Sequence, residues 1–241
     1  MSKTQNLNAG KGLVFIIALS LVSLLLNLGF WQLERATEKE LLLEQWQEPA
    51  ISMAAMRSKK ALSFYQKVAV KGQLNAQQYY LLDNKTRNGN VGYEVLVVFT
   101  TIEGNVFLLN LGWLAASIDR SILPTIELPK GIITVTGWLK KIEKVFQLQA
   151  DIWSANWPKR IQQIELSKMI AVTDTKQLIP LVLLAEQPLL SFMSTQWKPV
   201  NMSVEKHIGY AVQWFAMAFA LCIMFVWLWR KSFREIGNEE C

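Results

Sequence analysis

GLVFIIALSLVSLLLNLGFWQL, residues Gly12 to Leu33, is an uninterrupted apolar run bounded by Lys11 and Glu34, and it decides what kind of fold this chain has. At ~1.5 Å per residue it covers roughly 33 Å as a helix, enough to cross a hydrocarbon core of about 30 Å. A second run of equal length, IGYAVQWFAMAFALCIMFVWLW from Ile208 to Trp229, stands between His207 and Arg230. Trp31 lies at one end of the first run, and Trp214, Trp227 and Trp229 lie near both ends of the second, where indoles anchor helices at membrane–water interfaces. The pattern predicts transmembrane helices over 12–33 and 207–229, tails over 1–11 and 230–241, and one long segment, 34–206, between the spans.

The composition agrees. Of 241 residues, 51% are hydrophobic and only 18% charged, greasier than a typical soluble domain. The first run exceeds the usual signal-peptide core of about 7–15 residues, and no small-residue cleavage site follows it, so an uncleaved signal anchor is expected. The preceding tail is too short and too poor in Arg for a mitochondrial transit peptide, which makes a bacterial inner membrane the simpler home. Lys3 and Lys11 flank the first span and Arg230, Lys231 and Arg234 follow the second, so both tails are expected in the cytoplasm and 34–206 in the periplasm. Between the spans 20 basic residues stand against 16 acidic ones, and this balance of +4 is spread without a block or stripe, which points to membrane lipid and away from nucleic acid as a partner. Cys222 lies inside the second span and Cys241 ends the chain, so the segment between the spans must fold without disulfides. It is long enough to bury a core unaided.

Within that segment, Arg35 to Glu48 continues the first span as a helical stalk, with Leu42, Gln45 and Trp46 on one side and Pro49 ending it. From Tyr65 the period shifts towards two. Val68 and Val70 alternate with polar residues, and Tyr79 to Leu82 is a second short strand signal. Gly92–Thr101 and Val106–Leu114 form a hairpin around Ile102-Glu103-Gly104-Asn105, where Gly104 supplies a positive φ. Gly131–Lys140 alternates again after Pro124 and Pro129. Beyond Val145 the pattern weakens: Trp153, Trp157 and Pro158 read as a loop near the membrane, Ile164–Val172 as a short helix, and Ile179–Glu186 as a buried strand. The fold class is a membrane protein whose two transmembrane α-helices flank a β-rich, antiparallel α+β extracytoplasmic domain.

Chemistry is harder to find. Asp83, Asp119, Asp151 and Asp174 are available carboxylates, but the segment has no His to act as a base, which excludes Ser-His-Asp and Cys-His sites. With one His and two Cys in the whole chain, metal sites that take three or four ligands mainly from His and Cys are excluded too. No glycine-rich phosphate loop occurs, and an enzyme is not expected. The single His, His207, opens the second span. On a helix, Tyr210, Ala211 and Trp214 follow it at i+3, i+4 and i+7, placing imidazole, phenol, a small gap and indole where a flat apolar ligand could sit. Imidazole is also a haem-iron ligand. The plainer alternative makes His207 and Trp214 interfacial anchors. At matching depth on the first span stand Gly29, Trp31, Gln32 and Arg35. Gly29 permits close helix approach, and Arg35 could hold a propionate or simply pair with Glu38 or Glu40.

LGFWQLERATEK (Leu28–Lys39), LLDNKTRNGNVGYEVLVVF (Leu81–Phe99) with LLNLGWLA (Leu108–Ala115), and HIGYAVQWFAMA (His207–Ala218) together resemble the Surfeit locus protein family of cytochrome c oxidase assembly factors. The resemblance implies a two-span inner-membrane protein that handles haem a for subunit I of the oxidase, with haem a synthase and a second copy of the chain as further possible partners. It implies His207 as the iron ligand, with Tyr210, Ala211, Gln213, Trp214 and Phe215 matching the residues after it and Gly29, Trp31, Gln32 and Arg35 matching the first-span motif. A scaffold that holds oxidase subunits without touching haem is the alternative. One block departs from the family pattern Asn-Arg-Gly-Trp-Val-Pro: this chain has Asn110-Leu111-Gly112-Trp113-Leu114-Ala115, losing the Arg and the Pro.

Overall fold

The alternation that begins at Val68 runs much further than one short strand. In the computed structural model, which describes residues 2–52, 65–142, 151–173, 175 and 178–239 (2–11 and 232–239 as backbone only), β2 extends over Lys67–Arg87. It follows helix α1 (Ser2–Gln47) and a two-residue strand, β1 (Ile51–Ser52). Val68, Val70 and Leu74 enter one core, and after a register irregularity between Leu74 and Tyr79 the inward residues become Tyr79 and Leu81. That irregularity moves the inward set from even to odd positions, which is why a period-two reading splits β2 into two segments.

β2 turns into β3 (Asn90–Thr101) through Asn88 and Gly89, with φ of 49° and 79°. Positive φ at both central residues is the two-residue hairpin geometry for which Asn-Gly is the strongest sequence signal. The next hairpin, to β4 (Val106–Ala115), turns as expected at Gly104, φ 80°. β5 (Ile132–Lys141), β6 (Lys159–Ile161), helix α2 (Leu166–Thr173), β7 (Leu181–Ala185) and helix α3 (Val204–Glu239) complete the order.

The pairings close on themselves: β2 pairs β3, β3 pairs β4, β4 pairs β7, β7 pairs β5, and β5 pairs back to β2. The result is a five-stranded barrel that leaves no open edge along this ring. Gly72 sits where β2 passes from one neighbour to the other, paired with Thr101 on one side and Ile133 on the other. A Cβ there would lie 2.2 Å from the Thr100 carbonyl oxygen, so only glycine lets the strands approach. The principal ladders are antiparallel, as expected. Three shorter ones are parallel, β1 with β2, β6 with β2 and β4 with β7, so the sheet is mixed.

Two cores follow from the two faces of this sheet. The interior holds Val70, Tyr93, Val95, Val97, Phe99, Phe107, Leu109, Leu111 and Leu183. The alternate residues Tyr80, Leu96, Val98, Leu108 and Leu184 point outward under Met169 of α2, Ile161 of β6 and Leu178. Strands buried on both faces read as continuous apolar runs, which explains sequences such as VLVVF. Trp153 and Trp157 belong to this outer core: both stand edge-on to Tyr80, at 5.6 and 5.0 Å between ring centroids, so the loop that carries them packs on the barrel. Lys159 has its ammonium 4.8 Å from the Trp157 ring and donates to the Ser154 and Ala155 carbonyls at 2.6 and 3.3 Å; burial depresses its pKa. The last turn of α1 also contributes, with Trp46 stacked on Trp138 at 4.0 Å and accepting from its indole N–H at 2.9 Å.

Tyr79 ties down the connection after β4. Its hydroxyl donates to the Pro124 carbonyl and accepts from the Ile126 N–H, both at 3.0 Å. Burial pushes the phenol above its ordinary pKa, and the bond from Ile126 only partly opposes this. Tyr79→Phe leaves that buried N–H without its acceptor and should cost about 1–3 kcal/mol, measured by denaturant unfolding of the detergent-solubilised chain followed through tryptophan fluorescence.

The chain divides into two compact units, Glu44–Pro199 around the barrel and a helical unit of Met1–Leu43 with Val200–Cys241. Two helical stretches, Gly12–Gln47 and Val204–Lys231, are long and apolar enough to cross a membrane, and only 6% and 11% of their most apolar windows are buried. Side chains such as Ile16, Leu24, Phe219 and Trp227 remain uncovered, which suits lipid and not water. The helices extend beyond the predicted spans 12–33 and 207–229 on both sides. Val145 and Asp174, named above, lie outside the described residues.

Candidate functional site

In the helical unit α1 and α3 run antiparallel. Phe15 contacts Phe225, Phe30 contacts Phe215, and Gln32 contacts His207, so each step up one helix is matched by a step down the other. The buried residues of the seam are Leu25, Gly29, Gln32 and Ala36 on α1 and His207, Ala211 and Ala218 on α3. On α1 their spacing of four, three and four keeps one narrow stripe against the partner helix. Small residues there allow close approach: a Cβ on Gly29 would lie 2.4 Å from the ring of Phe215.

At the end of this seam, His207 is 7% exposed and Gln32 9% exposed. His207 Nδ1 lies 2.7 Å from Gln32 Oε1. The other ring nitrogen, Nε2, is closed off from solvent and has no hydrogen-bond partner among the described residues. An unpaired buried polar atom costs about 1–3 kcal/mol, so one that persists invites a functional explanation. A ring nitrogen held by an oxygen acceptor on one side and bare on the other is also the arrangement found at metal-ligating histidines. The donor set therefore fits a single axial imidazole ligand to a haem iron.

The other residues singled out from sequence are distributed differently. Ala211 is buried beside His207, and Trp214, one turn further along, is half-buried. Tyr210 is 44% exposed and Trp31 48% exposed, both outside the buried stripe. Arg35 is exposed, ion-paired with Glu38 and 5.8 Å above the Trp31 ring, the plainer of the two roles open to it. Gln32 is the residue whose importance the sequence understated. Its signal was a lone amide on the stripe that Gly29 and Ala36 define, since polar side chains inside a span normally face a partner.

Of the aspartates singled out from sequence, Asp83, Asp119 and Asp151 are committed to local structure. Asp83 is paired with Arg120 and lies 3.9 Å from Arg160. Asp119 accepts from the hydroxyl and backbone N–H of Ser121, which holds its carboxyl below the usual range. Asp151 accepts from the Gln162 N–H at 2.6 Å. Among the described residues no three His, Cys, Asp or Glu side chains gather as a metal cluster. The departure at Leu111 has a clear consequence: its side chain is fully buried in the barrel interior, so an apolar core contact stands where the related pattern carries Arg. Beside it, Asn110 donates to Glu94 at 2.8 Å and accepts from the Gly112 N–H at 3.1 Å, filling the register irregularity between Glu94 and Leu96.

Comparison with known proteins gives the same answer over most of the length. A SURF1-like protein of Rickettsia felis is 26% identical over 231 residues, covering 90% of this chain and 96% of its own. A SURF1-like protein of Rickettsia conorii is 26% identical over 229 residues, covering 89% and 90%. The SURF1 family model matches residues 19–219, from within α1 through the whole barrel into α3, and the chain accordingly belongs to the SURF1 family, known generally as cytochrome oxidase assembly factors.

Proposed function

We propose that this protein assists assembly of cytochrome c oxidase by holding haem a as cargo at the extracytoplasmic end of its helix pair, with His207 Nε2 as the iron ligand, for delivery to subunit I. The observation that carries this reading is the bare, buried Nε2 of a histidine whose other nitrogen is already engaged. His207 Nε2 would hold the iron of haem a there, and because the chain provides a single His, any further iron ligand would come from the receiving subunit, a second copy or water. Such a half-filled site suits a carrier that must release its cargo. Nε2 is covered, so uptake requires neighbouring side chains to move aside.

Trp214, half-buried one turn from Ala211, offers an aromatic wall, while Tyr210, Trp31 and Arg35 stand where a macrocycle or a partner helix could meet them from the lipid side. Haem a synthase upstream and subunit I downstream are the partners this role requires. The setting is a bacterial inner membrane with both tails cytoplasmic, supported by the flanking basic residues and the bacterial relatives. The role is non-enzymatic binding. The test is purification from a host that makes haem a, followed by a reduced-minus-oxidised spectrum. A haem a band at up to one per chain supports the carrier. A colourless protein from cells shown to contain haem a, still co-purifying with subunit I, replaces it with a haem-independent scaffold.

A further inference from the structure

We infer that Gln32 is a positioning residue that fixes the tautomer of His207, putting the proton on Nδ1 and leaving the Nε2 lone pair free. The inference rests on the reading of His207 as an iron ligand, but its first half concerns only these two side chains. An amide oxygen carries no hydrogen, so a 2.7 Å contact between Gln32 Oε1 and His207 Nδ1 is a hydrogen bond only if Nδ1 bears the proton. A neutral imidazole has one such proton, and Nε2 is then the bare nitrogen. Both side chains are buried in the seam, where water does not offer Nδ1 a competing acceptor. Their places on antiparallel helices, one stripe residue beyond Gly29 on α1 and one turn before Ala211 on α3, hold the ring by packing as well as by the bond. The chain thus builds a pre-set ligand before any iron arrives, and the same bond makes the imidazole a better electron donor once iron is bound.

The chain has a single histidine, so every imidazole resonance of a histidine-labelled sample belongs to His207. The full-length, haem-free protein, labelled with 15N-histidine and purified in detergent through a tag without histidine, is expected to show a protonated Nδ1 and a bare Nε2. Gln32→Met keeps length and apolar burial but removes the acceptor, and should abolish that preference; Gln32→Glu should restore it. In haemin titrations Gln32→Met should bind about 10–100-fold more weakly than wild type, with Gln32→Glu close to wild type and with a stiffer iron–histidine stretch in the ferrous Raman spectrum.

A proton on Nε2 in the wild type overturns the inference, as does a tautomer or haemin affinity unchanged in Gln32→Met. If Gln32→Met fails to fold, the wild-type tautomer and Gln32→Glu still decide. Failure of the underlying reading looks different: His207→Ala then binds haemin as tightly as wild type, whatever Gln32 does to the ring.

Discussion

His207→Ala is expected to emerge from a haem a-producing host with no stoichiometric haem, while its β-domain unfolds at the wild-type denaturant midpoint. The two halves of this result have separate causes. The substitution removes the only imidazole in the chain, and no other described side chain of the helical seam offers an iron ligand of that kind. The barrel closes through its own five strands, and it belongs to the compact unit Glu44–Pro199, which does not contain His207. The local cost is confined to the seam, where the Gln32 amide loses its partner at about 1–3 kcal/mol. Spectra and unfolding curves taken on the same preparation check both halves. Wild-type haem content in the variant would remove His207 from the site, and a shifted midpoint would show that the units share stability.

Phe99→Ala should destabilise the β-domain by about 3–5 kcal/mol, the largest effect expected of a single side chain there. Phe99 is fully buried in the barrel interior and sits directly across the β3–β4 ladder from Phe107, itself fully buried. A closed barrel cannot collapse onto a missing ring without breaking the pairing that closes it, so most of the cavity persists. Ile132→Ala, at a position 62% exposed at the start of β5, is the contrast and should stay within about 0.5 kcal/mol. Denaturant unfolding of both variants followed by tryptophan fluorescence decides the matter. Similar losses in the two would mean that the interior tolerates repacking.

Several elements were legible for one reason: their signal is local. The apolar runs state their length, Gly104 states its turn, and the alternation of β5 states its face. Asn88-Gly89 carried an equally local signal for the β2–β3 turn, which the reading of the sequence passed over. What the rings of Trp153 and Trp157 pack against was not legible, because an aromatic residue looks the same in sequence whether it meets lipid or Tyr80. The inward parity of β2 was hidden because one irregularity reverses it, and no composition marks that place.

By itself the sequence determined that this chain has two spans around a disulfide-free β-rich domain, and that any imidazole chemistry falls on His207. These follow from length, period and scarcity, which need no partner in space. Only the tertiary structure decided that the strands close into a barrel, that Leu111 belongs to its interior, and that Gln32, far away in sequence and one residue from the more conspicuous Trp31, faces His207. Closure depends on which strand edges meet, and a hydrogen bond between two helices depends on their rotation and register. Both are properties of long-range packing that no short window of sequence contains.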